Sequence, residues 1–382
     1  MVLAIWLYLV AARGGFWRAA ERDDETLSWP GPAGEQWPAV TAVIPARDEA
    51  ACVGDTIASL LRQNYPGEFA VILVDDQSRD GTADVAAATA AAIGGAHRLS
   101  IVPGRPLPAG WTGKVWAMQQ GVQHADDAAG PALYLLFTDA DIAYAPDSLR
   151  RLVARAQADG LVLTSLMVKL RCLSLAERSL IPAFVYFFQM LYPFAWVNRP
   201  ERAIAAAAGG CMLVDRAALR AAGGIEAIRD ALIDDCALGA RLKAVGPIWL
   251  GLTERVRSLR AYPSFDHVRR MVARSAYHQL RYSPLLLAGT VAGLALTFLA
   301  PPFAALVASG LGCAAGVAAW ALMAMSFQPT LRLYRRSPWW GLGLPLIAAF
   351  YLAFTLDSAY QHVRGRGGLW KGRVQANASE MR

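Results

Sequence analysis

The sequence predicts an α/β domain with a mostly parallel sheet, joined to transmembrane α-helices. Three observations carry this expectation. From Ala39 onward, short apolar runs alternate with amphipathic stretches, as parallel strands with crossover helices do. Leu285 to Phe327 is one long run without a charge, and Gly341 to Leu356 is another. The 382 residues are 55% hydrophobic and only 18% charged, more apolar than a soluble globular chain requires.

The N-terminus, MVLAIWLYLVAARGGFWRAA, is apolar for twelve residues before Arg13. Such a segment is a short anchor, a signal peptide or an interfacial helix. No small-residue cleavage site precedes a mature start, and Arg13, Arg18 and Arg22 follow the apolar part, which favours an uncleaved anchor whose C-terminal side is cytoplasmic. Twelve residues are fewer than a full span needs, so a peripheral helix stays open.

The strand candidates are VTAVIPA (Val40 to Ala46), FAVILV (Phe69 to Val74), RLSIV (Arg98 to Val102) and ALYLLF (Ala132 to Phe137). Between them lie the helical stretches Val53 to Gln63, Thr82 to Ile93 and Lys114 to Val122. A sheet built this way is covered on both faces, and its ligands sit outside the carboxyl ends of the strands. There the chain places its charges. Arg47, Asp48 and Glu49 follow the first strand, Asp75 and Asp76 the second, and Asp139 and Asp141 the fourth.

Any one of these clusters is an ordinary polar loop, since Asp favours turns and helix starts. Three acidic clusters at one sheet edge imply a cation or a partner that holds them, because like charges brought together raise each other's free energy. No G-x-G-x-x-G and no G-x-x-x-x-G-K-[ST] occurs, which argues against a dinucleotide fold and a P-loop ATPase. The five histidines are scattered and suggest no zinc site. The five cysteines form no CxxC pair and read as free thiols.

Leu180 to Trp196 is aromatic and apolar but interrupted by Pro182 and Pro193, which makes it a poor span. It reads as an interfacial helix pair or a buried core helix. The run from Leu285 to Phe327 is long enough for two spans at about 20 residues each, with Pro301-Pro302 as the expected break. The run from Gly341 to Leu356 is marginal for one.

Arg255, Arg257, Arg260, Arg269, Arg270, Arg274 and Arg281 crowd the approach to Leu285 and place the middle segment in the cytoplasm. Arg332, Arg335 and Arg336 fall on that side again, yet Arg364, Arg366, Lys371 and Arg373 follow the last apolar run. The last segment therefore crosses against the charge bias, re-enters or lies in the interface. The net charge of +7 suits an anionic leaflet or anionic substrates and calls for no nucleic acid. The expected organisation is an anchor over 1–22, the α/β domain over 39–265 with an interfacial segment at 180–196, an amphipathic juxtamembrane helix at 266–282, transmembrane helices over 285–358 and a basic tail at 359–382.

With these residues placed, the chain resembles the membrane-bound family 2 glycosyltransferases of the GT-A fold, and most closely the hopene-associated glycosyltransferase group. The matching stretches run from about Val40 to Arg281: VIPARDEA (Val43 to Ala50), VDDQSRDGT (Val74 to Thr82), WTGKVWAMQQG (Trp111 to Gly121), TDAD (Thr138 to Asp141), AAGGCMLVDRAAL (Ala207 to Leu219) and LIDDCALGARLKAVG (Leu232 to Gly246).

The resemblance implies roles for named residues. Pro45, Arg47, Glu49, Asp75 and Asp76 would form the nucleotide pocket, and Lys114 would neutralise the diphosphate, a point-charge task that lysine suits. Asp139 would contact the ribose or a metal-bound water. Asp141 would coordinate the bridging metal, Mg²⁺ or Mn²⁺, since hard cations take oxygen ligands. In an extended chain such residues stand roughly 6.5 Å apart on one side, close enough to share an ion. Asp234-Asp235 stands at the family's catalytic pair, with Asp235 the base; Asp234 also reads as a helix cap. Gly209-Gly210 would let backbone approach the sugar or the acceptor.

HQLRY (His278 to Tyr282) stands where related enzymes carry Q-x-x-R-W, keeping Arg281 but neither the Gln nor the Trp. Arg281 is thus an acceptor or diphosphate contact, or one more membrane-flanking cation. The implied activity is metal-dependent, inverting, hexosyltransferase-like transfer from a nucleotide-sugar, a UDP-sugar by preference, to a lipid acceptor such as a hopanoid at the bacterial inner membrane. Two other readings share the motifs. A polyprenyl-phosphate glycosyltransferase or processive polysaccharide synthase needs more spans, and an inactive scaffold of the same fold predicts loss of Asp141 or Asp235.

Overall fold

The computed structural model describes residues 1–23, 37–127 and 132–365, together with the backbone of Leu369–Trp370 and Arg373–Val374. Arg366 and Lys371 of the expected basic tail lie outside the described residues. The chain divides into two compact units. A sheet unit is built from Glu21–Leu170 and Val197–Arg260, and a helical unit from Met1–Ala20, Arg171–Trp196 and Ala261–Leu369.

The sheet unit holds eight strands: β1 (Val40–Ala46), β2 (Phe69–Asp75), β3 (Leu99–Pro103), β4 (Tyr134–Phe137), β5 (Ile142–Tyr144), β6 (Leu163–Lys169), β7 (Met212–Asp215) and β8 (Ile248–Ser258). Their order is β3-β2-β1-β4-β7-β6-β8-β5. The sheet is mixed, with four parallel and three antiparallel pairings. β1 is parallel to β2 and β4, β2 to β3, and β6 to β8, whereas β7 runs antiparallel to both β4 and β6, and β5 antiparallel to β8. The sequence pattern exposed only the βαβ half, where β1, β2 and β4 are largely apolar and buried while β3 lies at the sheet edge. The later strands are short or carry charges: β5 has three residues, and β8 includes Glu254, Arg255 and Arg257.

One helix fixes the site's depth. Gly113–Asp127 lies on β1 and β2, burying Val115, Met118 and Gly121. A Cβ at Gly121 would stand 2.4 Å from Val43 Cγ1 and 3.2 Å from Val74 Cγ2. Only glycine lets the helix lie this close.

In the helical unit, Val2–Ala12 is a helix of 11 residues whose Trp6 is fully buried. Leu175–Leu191 starts at a capping box: Ser174 Oγ accepts from the Glu177 N–H at 3.1 Å, and Glu177 accepts from the Ser174 N–H at 2.8 Å. This helix runs through Pro182 and stops at Tyr192, before Pro193 and a short Phe194–Val197 turn. The expected helix pair is therefore divided by the second proline alone. The helix keeps its course past Pro182 because it is packed, with Tyr186 fully buried and bonded to Ser326 at 2.7 Å and the Leu180 carbonyl accepting from Tyr351 Oη at 2.9 Å.

Among the described residues three helices are long and apolar enough to cross a membrane: Leu175–Val197, Pro284–Val307 and Gly310–Leu333. The break between the last two falls at Ala308-Ser309, not at Pro301-Pro302. The prolines are accommodated at the start of Ala300–Val307, directly after a π-turn at Ala295–Leu299. Pro301 has no N–H for the Thr297 carbonyl, and Trp6 Nε1–H donates to that carbonyl instead at 2.8 Å. The Gly341 to Leu356 run becomes part of a 20-residue helix, Leu344–Val363. The expected juxtamembrane helix is two pieces, Phe265–Ala273 and Ala276–Gln279.

Candidate active site

The site lies in the sheet unit, in the loops that follow β1, β2 and β4. Ala46 and Asp75 are register partners at the ends of β1 and β2, so the loops after them start side by side. Side-chain bonds to backbone hold them together. The Asp48 N–H donates to Ser78 Oγ at 3.0 Å, the Arg79 N–H to Asp48 Oδ1 at 2.8 Å, the Glu49 N–H to Thr82 Oγ1 at 2.9 Å and the Ala50 N–H to Asp80 Oδ2 at 2.9 Å. Asp48 and Gln77 both take left-handed backbone, φ 50° and 58°, to make this possible. Asp75 Oδ1 accepts from the Ser78 N–H at 3.1 Å, an Asx-type turn. Arg47 Nη1 donates to the Asp76 carbonyl at 2.6 Å and lies 3.6 Å from its fully buried carboxylate.

The TDAD stretch leaves β4 and turns at Ala140-Asp141 instead of continuing extended. Thr138 Oγ1 donates to the Gly210 carbonyl at 2.9 Å and Thr56 Oγ1 to the Ala140 carbonyl at 2.8 Å, which pins the turn from both sides. Each of its two carboxylates meets a cation. Asp139 Oδ1 meets Lys114 Nζ at 2.9 Å, and Asp141 Oδ2 meets Arg260 Nε at 2.7 Å.

Lys114 also lies 3.1 Å from Asp234 Oδ2. Asp234 and Asp235 open the Asp234–Lys243 helix, whose N-cap is Ile233 and makes no side-chain cap. Asp234 is therefore not the cap expected of it. Its carboxylate turns to Lys114, while the helix N-terminus still favours negative charge there. Asp235 is fixed by backbone donors, the Gly209 N–H to Oδ2 at 2.9 Å and the Cys236 N–H to Oδ1 at 2.7 Å. A Cβ at Gly209 would stand 3.2 Å from Lys114 Nζ and 3.3 Å from Asp235 Oδ2, so the backbone passes as close to both as a glycine allows.

Pro45, Lys114, Thr138, Asp139, Gly209 and Asp234 line one cleft. Gly210 serves it from behind, its carbonyl also accepting from Tyr144 Oη at 3.2 Å. Arg281 belongs to the helical unit, where it takes left-handed backbone (φ 51°) next to Tyr282 (φ 55°).

Burial works against the charge of Lys114, but Asp139, Asp234 and Asp235 outweigh it and hold its pKa well above the ordinary lysine value. Burial and then the neighbouring Asp234 push Asp235 up to about 6, against the lowering effect of Lys114 and the two backbone donors. Asp141 is also raised, by burial and by Asp139 and Glu49, although Arg260 pulls the other way. The donor set fits a hard divalent cation, because two carboxylates supply oxygen ligands and leave other positions to phosphate and water. Among the described residues no group of three His, Cys, Asp or Glu side chains is placed to hold a metal ion by itself.

Three residues of this arrangement carried no role in the sequence reading. Arg260 was counted among the membrane-flanking arginines. Asp80, inside VDDQSRDGT, ties the two loops. Thr112, buried beside Lys114, donates its N–H to the Arg229 carbonyl at 2.8 Å and so holds the approach to Asp234-Asp235.

Residues 41–223, just under half of the chain, match the family model described as Glycosyl transferase family 2. Among curated relatives, 4,4'-diaponeurosporenoate glycosyltransferase of Staphylococcus aureus (strain USA300) is 32% identical over 123 residues, which are 32% of this chain and 29% of that protein. The chain thus spans less than a third of the relative's length. Among solved structures, mannosyltransferase PcManGT from Pyrobaculum calidifontis, in complex with GDP-Man and Mn²⁺, matches with a TM-score of 0.53 at 18% identity, over 94% of this chain and 99% of that one. At that identity the likeness establishes the fold, GT-A-like mixed α/β.

Proposed function

We propose that the protein is a membrane-bound, inverting, metal-dependent glycosyltransferase that moves a sugar from a nucleotide-sugar, a UDP-sugar by preference, to a lipid acceptor, a hopanoid alcohol in the specific form of this reading. The observation that carries it is the cluster of Asp235, Asp234, Lys114 and Asp139 around Gly209. The family 2 match covers every member of the cluster up to Gly209. A lipid-like acceptor is supported by the relative named for diaponeurosporenoate, a carotenoid acid. The three apolar helices support a multi-pass inner-membrane location with the sheet unit in the cytoplasm.

In this reading Asp235 accepts the proton of the acceptor hydroxyl as that oxygen attacks the anomeric carbon from the face opposite the leaving group. One displacement with one base inverts the anomeric centre. A base with a pKa near 6 suits proton transfer close to neutral pH. Gly209 and Cys236 N–H groups keep its carboxylate oriented, and Asp234 keeps Lys114 beside the cleft. Lys114 stabilises the charge that accumulates on the departing nucleoside diphosphate. Arg47, Glu49, Asp75 and Asp76 hold the nucleotide end through the paired loops. A Mg²⁺ or Mn²⁺ held by Asp139 and Asp141 would supply further charge to the diphosphate.

The test is transfer from labelled nucleotide-sugars to a lipid panel with Mg²⁺, Mn²⁺ or EDTA, using purified wild-type enzyme, Asp141→Asn and Asp235→Asn. Transfer is expected to require the metal and both carboxylates. Undiminished transfer in EDTA and in both variants would refute the mechanism, and transfer to polyprenyl phosphate but not to hopanoid alcohols would change the acceptor.

A further inference from the structure

Arg260 stands closer to the predicted metal carboxylate than any metal-site reading anticipates. Its Nε lies 2.7 Å from Asp141 Oδ2 and its Nη2 2.5 Å from Glu49 Oε1. The placement is built into the sheet. Ile142 and Ser258 are register partners of β5 and β8, and the Leu259 N–H donates to the Asp141 carbonyl at 2.7 Å. Ser258 Oγ stands 3.5 Å from Asp141 Oδ2 and accepts from the Arg260 N–H at 3.3 Å. The two carboxylates are nearly buried, with 8% and 11% of their side chains exposed, while 35% of the arginine is exposed.

We propose that Arg260 is a resident counter-cation that competes with the divalent ion for Asp141, so that metal and nucleoside diphosphate bind as a pair. This rests on the metal-dependent reading above. With Lys114 on Asp139 and Arg260 on Asp141, a divalent ion entering alone meets a positive charge at each carboxylate. A diphosphate changes that balance. It brings negative charge and offers the planar guanidinium a bidentate partner that Arg recognises well. Arg260 is the more exposed partner of the three, so it makes the exchange while the buried carboxylates stay. Arg260 is thus a positioning residue, and its effect appears in metal affinity before any chemistry.

The experiment measures Mn²⁺ binding to the detergent-solubilised full chain by calorimetry or by electron paramagnetic resonance, with no nucleotide, with UDP and with GDP. Wild type and Arg260→Gln are compared after thermal unfolding has confirmed that the variant folds. Without nucleotide, Arg260→Gln is expected to bind Mn²⁺ about 10-fold more tightly than wild type, and nucleotide to strengthen wild-type binding by about 10-fold or more but the variant far less, within the usual range of coupling between sites. Equal Mn²⁺ affinity of variant and wild type without nucleotide would overturn the proposal and leave the metal reading intact. No Mn²⁺ binding in any state would overturn the metal reading, and this proposal with it. The wild-type arm alone also decides if the variant does not fold: Mn²⁺ affinity unchanged by both nucleotides overturns the proposal.

Discussion

Lys114 Nζ lies 3.1 Å from Asp234 Oδ2, joining the first turn of the Gly113–Asp127 helix to the first turn of the Asp234–Lys243 helix. Lys114 is also the cation that Asp139 and Asp235 depend on. Lys114→Met leaves these acidic groups without it. The expected cost is about 2 kcal/mol or more in stability, read from denaturant unfolding and discounted from the fully buried case because Asp139 is partly exposed. Transfer should fall by about 100-fold or more, since in the proposed reaction Lys114 would also face the diphosphate. Losing its lowering effect should also raise the acid limb of the pH profile above the wild-type position near pH 6.

Asp235 gives a pH prediction of its own. As the proposed base it must be unprotonated, so kcat/KM is expected to fall as pH drops through about 6 and to level off above it. Stability has the opposite sense. A carboxylate raised from 3.8 to about 6 binds its proton more tightly in the folded protein than in the unfolded chain, so its contribution is lost as pH rises between those values. Asp235→Asn should lose transfer by about 10²–10⁴-fold and flatten both profiles. An unchanged acid limb in that variant would assign the titration to another group.

Gly209→Ala tests the close approach. The new methyl would press on Lys114 Nζ and Asp235 Oδ2 from 3.2 and 3.3 Å, so both must give by a few tenths of an ångström. Backbone conformation is not the obstacle, because Gly209 is not among the positive-φ glycines. The expected result is a folded protein with kcat reduced about 10-fold and donor KM little changed, because small displacements of reacting groups cost rate.

Trp6→Phe keeps a buried ring and removes the donor to the Thr297 carbonyl, which Pro301 cannot replace. A buried acceptor left without its partner costs about 1–3 kcal/mol. Thermal unfolding in detergent should show the loss, and Trp6→Phe combined with Pro301→Ala should recover part of it, since alanine restores the missing helix donor.

The βαβ half of the fold was legible because its central strands are short, mostly apolar runs between amphipathic helices. The gathering of Asp139, Lys114, Asp234 and Asp235 followed from their places in quoted motifs. Other features lay beyond one-dimensional patterns. Arg260 and Arg255 look like membrane-flanking cations in the sequence, yet in the sheet unit they pair with Asp141 and with Asp147, both within 2.8 Å. Pro182 and Pro301-Pro302 looked like breaks, but a packed helix tolerates the first and a π-turn precedes the others. Nothing in TDAD announces the turn at Ala140 that Thr56 secures from a distant helix.

Gly121 has a consequence for how this protein could change. The Gly113–Asp127 helix acts as a rigid strut whose far end carries Lys114, and Val43 and Val74 are the bearing it rests on. A methyl at Gly121 would lift the strut and withdraw the ammonium from Asp139 and Asp234, although it touches neither. Variation in donor or acceptor is therefore free to accumulate in the exposed loops, while the height of this one helix stays tied to the absence of a side chain about two turns from the charge it delivers.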